Sequence, residues 1–342
     1  MSSFTSSSTK PTIRCRRCGG VLTDTGQDMW SCPDGHDVPV VGGVLDCRPP
    51  LTGFDIDSDR SLAGELAGLE DATLEELLRH YWRHQPDVPS QLVERFVTGD
   101  LIGSQRASAV ADQIESALGA PVPPHSHALE IGGGTGALGA ELATRCSSVV
   151  ITDISLAWLV LARKRVRDLG LGNVTMVAAT GDDLPIEPGS VDLIVAADVI
   201  EHVPNAASVI NHCYSALRAS GALWLSTPNR LSLTPEPHVL LWGVGLLPRR
   251  LGRAYVRRIR GVNYDDIDTL SLFTLRRLAA ATGGTWSVKA PEITPPVRAT
   301  YRPLARLLID AYHVSRRVPV VRSVVLLAAP LFHVVIRKPA HG

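Results

Sequence analysis

Between residues 127 and 229 short apolar runs alternate with amphipathic stretches. Ala128-Leu-Glu-Ile, Ser148-Val-Val-Ile-Thr, Val174-Thr-Met-Val, Val191-Asp-Leu-Ile-Val-Ala and Ala222-Leu-Trp-Leu-Ser read as five successive strands with helices between them. Short apolar runs separated by helical periodicity predict a parallel sheet of βαβ units, hence an α/β fold. Upstream, Thr73-Leu-Glu-Glu-Leu-Leu-Arg-His-Tyr-Trp predicts a capped amphipathic helix, because Thr73 and Glu76 stand at capping-box spacing. Helical periodicity returns from Ser90 to Leu118, until Pro121-Val-Pro-Pro124 interrupts it. Beyond Asn229 the text becomes Pro-interrupted and Arg-rich. It recovers as a helix from Thr274 to Ala281 and a strand near Trp286-Ser-Val-Lys, and Leu331-Phe-His-Val-Val-Ile-Arg-Lys is the predicted closing strand. The expected organisation is a flexible tail (1–14), a compact Cys/Gly/Pro segment (15–50), a helical linker or cap (51–122) and an α/β domain (123–342) with insertions near 230–266 and 297–330.

Composition narrows the class without naming a function. Hydrophobic residues make up 45% of the 342 and charged residues 20%, which suffices for a large core and excludes a disordered or collagenous chain. Lys+Arg and Asp+Glu balance at 34 each, which excludes a uniformly basic nucleic-acid coat, but the sum hides segregation. Asp55 to Glu76 holds eight acids and only Arg60, residues 246–260 hold six arginines and no acid, and Arg298 to Arg322 holds six more against Asp310. Basic amphipathic stretches lie on anionic membranes and clustered guanidinium groups bind phosphate, while a solvated helix face is the plain alternative. No charge-free apolar run reaches the roughly 18 residues of a membrane span, and the Ser/Thr-rich start lacks the apolar core of a secretory signal. A cytoplasmic protein is expected, with peripheral membrane contact through the basic stretches.

The cysteines are clustered. Cys15-x2-Cys18, thirteen residues, then Cys32-x3-His36 supplies four donors at spacings that suit tetrahedral zinc, with Gly19-Gly20 and Pro33-Asp34-Gly35 for the tight turns. Cys47 is a second choice for the fourth ligand.

Directly after the first strand comes Glu130-Ile-Gly132-Gly133-Gly134-Thr-Gly136, opening a helix at Ala137. Such a turn lets a ligand approach backbone N–H groups, and dinucleotide enzymes use one too. Asp153 ends the second strand, where a carboxylate can accept both hydroxyls of a ribose. The decisive addition is Gly181-Asp182-Asp183-Leu184-Pro185-Ile followed by Gly189-Ser-Val-Asp-Leu-Ile-Val-Ala-Ala-Asp198-Val-Ile-Glu201-His202-Val-Pro. With these in order, residues 126–230 resemble the class I S-adenosylmethionine-dependent methyltransferases, especially the small-molecule group that includes the ubiquinone-pathway enzymes.

The resemblance implies a Rossmann-like, seven-stranded sheet whose last strand is antiparallel. It places Glu130 and Gly132 by the methionine part of S-adenosylmethionine, Gly134 and Gly136 along the same loop, Asp153 on the ribose and Ile154 against the adenine. Gly181 and Asp182 would meet the adenine edge; the family often has an Asp-Ala pair where Thr180-Gly181 stands here. Asp198 is expected at the cofactor edge as well. Methyl transfer is an in-line displacement for which a protein supplies alignment and, where needed, a base. His202 is the first candidate base and His238, in Pro235-Glu-Pro-His238, the second; either is otherwise a loop or cofactor-ordering residue.

The Cys15–His36 segment resembles the zinc ribbon of bacterial ribosomal-RNA guanine-N1 methyltransferases and the small zinc-ribbon partners of tRNA methyltransferases. An RNA base methyltransferase is therefore the rival reading, and a non-catalytic partner-binding scaffold the third. The acidic stretch beside the ribbon is a poor surface for phosphate, and the Asn/Asp-Pro-Pro-aromatic signature of nucleic-acid amino methylation is absent after the fourth strand. The reading preferred on sequence is a methyltransferase of a small or lipid-like metabolite, phosphorylated forms included, acting at oxygen or carbon, with a zinc ribbon and two basic caps over the acceptor.

Overall fold

The computed structural model describes residues 10–340 except 27, 70, 86, 87, 89, 292–297, 300, 301, 316 and 317. Residues 1–9 of the expected tail, and Arg316 and Arg317 of the second basic stretch, lie outside the described residues. The chain forms two compact units: residues up to Val195 with His212–Gly221, and Ala196–Asn211 with Ala222–Pro339.

The first unit opens with four short strands, β1 (Thr23–Gly26), β2 (Met29–Ser31), β3 (Asp37–Val41) and β4 (Val44–Asp46). Helices α1 (Ile56–Gly68), α2 (Leu74–Arg83), α3 (Ser90–Leu101) and α4 (Gly103–Leu118) follow. Then come β5 (His127–Ile131), α5 (Ala137–Arg145), β6 (Ser148–Asp153), α6 (Leu156–Asp168), β7 (Val174–Ala178) and β8 (Val191–Ala197), whose last two residues belong to the second unit. The expected helix at Thr73 is present, and its capping box is complete: Thr73 Oγ1 accepts from Glu76 N–H while Glu76 accepts from Thr73 N–H at 2.7 Å. Strand order in this unit is β1-β2-β3-β4-β7-β6-β5-β8. The pairings β5–β6, β6–β7 and β4–β7 are parallel, and Leu129, Ile151, Val177 and Ile194 are fully buried, as strands covered on both faces require.

This differs from the separate modules read from the sequence. β4 pairs with β7 (Leu45↔Val177, Asp46↔Ala178), so the 15–50 segment extends the parallel sheet, and α1 and α2 of the supposed linker pack on α6. Residues 11–14 are held too: Ile13 is buried and bridges Ile186, and Glu187 N–H donates to Thr12 O. Residues 12–14 are therefore part of the folded unit and not of the expected tail. Local periodicity carries no signal for pairing between segments more than a hundred residues apart.

The second unit contains the N-terminal part of α7 (Ala206–Ala216), the Ala222–Pro228 part of β9 (Leu217–Pro228), α8 (Arg249–Arg260), α9 (Leu272–Ala281), β10 (Thr285–Lys289), α10 (Pro303–Ser315), α11 (Pro319–Ala328) and β11 (Leu331–Arg337). β11 runs antiparallel to both β9 and β10. With β5 to β8 of the first unit these make the seven expected strands, the last antiparallel. Trp224 and Phe332 anchor the buried face of this unit. The 230–266 insertion has its own small core of Leu241, Val244, Val256 and Tyr264.

Candidate active site

β5 delivers Glu130 and Ile131 into the glycine turn, and α5 starts at Ala137. Gly132, Gly134 and Gly136 have φ of +66°, +50° and +73°, a region that costs other residues about 1–2 kcal/mol. At Gly134 a Cβ would meet nothing within 4 Å, so glycine serves the backbone conformation there and leaves the turn open to a ligand. At Gly136 a Cβ would stand 2.7 Å from Ala162 Cβ, so close packing of α5 on α6 excludes any side chain.

Asp153 closes the other side of the turn. Its Oδ2 accepts from Gly134 N–H at 2.8 Å and its Oδ1 from Ser155 N–H at 2.9 Å. A carboxylate has about four acceptor positions, so the remaining ones are free for a vicinal diol. Burial raises this carboxyl above its usual range, the N–H groups of Ser155 and Gly134 pull it back, and the charge of Asp59 raises it further. Ile154, the next residue, is 39% exposed, an apolar surface suited to an aromatic base. In the loop after β7, Thr180 Oγ1 is buried without a hydrogen-bond partner, Gly181 is half-buried and Asp182 exposed. Glu130 lies beneath the glycine turn: a Cβ at Gly133 or Gly139 would come within 2.9 or 2.5 Å of its Oε2. That oxygen has no hydrogen-bond partner, and burial together with Asp153 pushes the carboxyl up to about 8. A diol acceptor, an apolar shelf and an unpartnered hydroxyl around an open turn fit the adenosine part of S-adenosylmethionine.

A brace absent from the sequence reading holds this corner. Arg48, its side chain fully buried, forms a two-pronged pair with Asp46 (2.8 and 2.9 Å) and donates to Asp59 (2.6 Å) and to Ile154 O (2.9 Å). Asp59, from α1, also accepts from Ser155 Oγ and Leu156 N–H, both at 2.8 Å, at the start of α6. The brace therefore grips both residues that follow Asp153.

In the second unit, Asp198 has φ +54°; its N–H donates to Ser226 O at 3.0 Å, and its Oδ1 accepts from Ser226 Oγ at 2.8 Å. Three residues on, Glu201 is fully buried; Oε2 accepts from Thr227 Oγ1 at 2.8 Å and Oε1 has no hydrogen-bond partner. Burial and the Asp198 charge push its carboxyl up to about 7. His202 and His238, 36 residues apart in sequence, meet Nε2 to Nε2 at 3.2 Å. His238 is oriented from behind: its Nδ1 lies 2.6 Å from Glu236 Oε1, while Glu236 Oε2 accepts from the N–H groups of His238 and Val239. Burial lowers both imidazoles, but hydrogen bonding and charge from Glu236 leave His238 above its usual value, whereas the neighbouring His238 charge lowers His202 further. Both candidate bases are thus brought together, and Glu236, which the sequence reading passed over, completes the chain.

A family model described as a methyltransferase domain matches residues 129–223, from within β5 to within β9, taking in the glycine turn, Asp153 and the Asp198–His202 segment. The domain is a class I S-adenosylmethionine-dependent methyltransferase. Over 180 residues the methyltransferase is 29% identical to a ubiquinone biosynthesis O-methyltransferase of Pseudomonas aeruginosa (strain LESB58), covering 52% of this chain and 69% of that protein. Among solved structures it is similar to a Haemonchus contortus phosphoethanolamine N-methyltransferase 2 in complex with S-adenosyl-L-methionine, at 16% identity and a TM-score of 0.46, covering 69% of this chain and about half (52%) of that one. A Mesorhizobium loti S-adenosylmethionine-dependent methyltransferase is similar at 18% identity and a TM-score of 0.47, covering 65% and 95%.

The methyltransferase also gathers the N-terminal donors. Cys15 Sγ, Cys18 Sγ, Cys32 Sγ and His36 Nδ1 all lie within 4.8 Å of one another, with Cys18–Cys32 at 3.4 Å, Cys32–His36 at 3.5 Å and Cys15–His36 at 3.7 Å. The N–H groups of Gly20 and His36 point at the Cys18 and Cys32 sulfurs (3.4 and 3.3 Å), as in turns that wrap a bound ion. Cys47 is outside this group: it is buried, and burial pushes its thiol up to about 12.

The arginine-rich helix α8 is less free than its sequence suggested. Acids from the following loop reach it: Arg249 pairs with Asp268 (2.7 Å), Arg253 and Arg257 with Asp265 (3.4 and 3.5 Å), and Arg260 donates to Val239 O and Leu240 O. Arg298 pairs with Asp310 in the later stretch. No helix among the described residues is long and apolar enough to cross a membrane.

Proposed function

We propose that the chain O-methylates a small amphipathic hydroxyl compound, with the His202–His238 pair accepting the hydroxyl proton. The observation that carries this is the continuous chain Glu236–His238–His202, in which a buried carboxylate orients one imidazole against another. S-adenosylmethionine, when bound, supplies an electrophilic methyl group. Asp153 would hold its ribose hydroxyls, Ile154 its adenine, and the Gly132–Gly136 turn its amino-acid end. Glu236 is a positioning residue, because it acts through His238. The relative named for ubiquinone biosynthesis is an O-methyltransferase, which agrees with a hydroxyl acceptor.

For the acceptor's body, the second unit exposes Leu233, Leu240, Trp242, Leu246, Leu251 and Ile259. The same unit has a small cleft lined by Arg230, Arg249, Arg253, Tyr264, Asp268 and Thr269, whose guanidinium groups suit an anionic end group. Arg250 and Arg258 carry no ion pair among the described residues, and beside Leu251 and Ile259 they suit an anionic lipid surface. We assign zinc to the Cys15, Cys18, Cys32 and His36 donors: ions bonded at about 2.3 Å to sulfur and 2.0–2.1 Å to nitrogen hold their ligand atoms roughly 3.6–3.8 Å apart, close to the separations above. The role of this ribbon is structural. Arg14 and Arg16 at its edge are paired with Glu187 and Asp183, whose carboxylates offset the charge a phosphate would need.

The test is methyl transfer from labelled S-adenosylmethionine to separate pools of apolar phenols, their phosphorylated counterparts and RNA. Label is expected in the hydroxyl compounds; label in RNA alone would overturn the reading. With an acceptor in hand, His238→Ala should lower kcat by about 10²–10⁴-fold with unchanged S-adenosylhomocysteine affinity. Activity should fall on acidification, as the pair takes its proton from solvent, and Glu236→Gln should move that acid limb to lower pH. A His238→Ala enzyme with the wild-type rate and pH profile would contradict the proton-acceptor role.

A further inference from the structure

We propose that Glu65 of α1, His80 of α2 and His84, which caps the C-terminus of α2, form a second transition-metal site, separate from the cysteine cluster. His84, at the C-terminal cap, follows His80 by four residues, and their imidazole centroids stand 4.9 Å apart. Glu65 comes from the neighbouring helix, and the three ligand atoms lie within 4.8 Å of one another. The distances decide between two interpretations of this cluster. Nε2 of His80 and Nε2 of His84 stand 3.5 and 3.4 Å from the same oxygen, Glu65 Oε2. An N–H···O hydrogen bond is shorter, about 2.7–3.2 Å. Two ligands that share one tetrahedral ion at about 2.0–2.1 Å lie roughly 3.3–3.4 Å apart, which matches.

The surroundings prepare the nitrogens for that role. His84 Nδ1 lies 3.1 Å from the His80 carbonyl oxygen, to which its N–H donates, leaving the lone pair on Nε2 facing the cluster. His80 Nε2 is buried and has no hydrogen-bond partner, an orphan that an ion would satisfy. Glu65 and His84 keep about half of their side-chain surface exposed (50% and 43%), which gives an ion an entry path and leaves room for water to complete its coordination. Two imidazoles and one carboxylate suit zinc, cobalt, nickel or copper; calcium and magnesium favour all-oxygen sites. An ion there ties α1 to α2. Because α1 also carries Asp59, which caps α6 beside Asp153, the ion would stiffen the wall of the ribose corner without touching the cofactor.

The full chain is stripped with a chelator and dialysed against micromolar free zinc, and bound zinc is counted with a colorimetric chelator. Wild type should hold two ions and His80→Gln/His84→Gln one. Glu65→Gln, which changes only a surface charge, should weaken the second ion by at least about tenfold and guards against misfolding of the double variant. A wild type with one ion and a double variant with none would remove zinc from the cysteine cluster but leave this site standing. Equal zinc content in wild type and the double variant, whether one ion or two, overturns it.

Discussion

Glu130 and Glu201 hold carboxyl groups where water does not reach, and each has one oxygen without a hydrogen-bond partner. Burial pushes them up to about 8 and about 7, well above the ordinary glutamate value near 4.3. The folded chain then binds these protons more tightly than the unfolded chain. Their contribution is fully favourable below about pH 4.3 and is lost as pH rises through 7 for Glu201 and through 8 for Glu130. Above pH 7 Glu130 is the one of the two that is still mostly protonated, so its share of the decline continues toward pH 8 at less than about 1.4 kcal/mol per pH unit. Thermal melts of Glu130→Gln should therefore show a flatter decline over that interval than wild type; parallel declines would mean that Glu130 is already ionised under its glycine turn. Nothing in the motif around Glu130 distinguishes a ligand-binding carboxylate from one sealed beneath the loop. That distinction rests on what Gly133 and Gly139 leave open, which is a property of packing.

At the scale of elements, helix α1 changes most between sequence and structure. The acidic run from Asp55 to Glu76 shows in sequence only as a surface poor for phosphate, yet Asp59 is drawn inward by Arg48 and by the N-terminus of α6, where a carboxylate is favoured. Likewise the six arginines of α8 read as basic, and the acids that pair with three of them, Asp265 and Asp268, follow the helix across a glycine stop at Gly261. In both cases the partner lies on another element, so helical periodicity gives the face of each residue but not its company. By contrast α2, β5, β6, β7 and β11 were legible, because capping spacing and strand periodicity are local. Asp59→Ala removes one partner of the buried Arg48, which keeps Asp46 and Ile154 O, and uncaps α6, a change that costs about 1–3 kcal/mol. Denaturant titration should register that loss together with weaker S-adenosylhomocysteine binding; full stability in Asp59→Ala would mean that the brace is dispensable.

At the scale of the whole molecule, balanced net charge conceals a division of labour. The first unit holds the glycine turn, Asp153 and the arginine brace; the second holds the Glu236–His238–His202 chain, most of the exposed large apolar side chains and the arginine helix. The ordered motifs from Glu130 to His202 made the cofactor half readable, since glycine, aspartate and strand positions must recur to hold one ligand. The acceptor half was readable only as two histidines, because its specificity lies in side chains converging from segments with no shared periodicity. The join of β4 to β7 escaped for a related reason, resting on only two paired residues. Isothermal titration of S-adenosylhomocysteine into wild type and Asp153→Ala tests the account most directly. Saturable one-to-one binding by wild type, weakened at least about tenfold in the variant as expected for a lost charge-assisted hydrogen bond, is the predicted result. Equal affinity in the two proteins, or no binding by wild type, would contradict it.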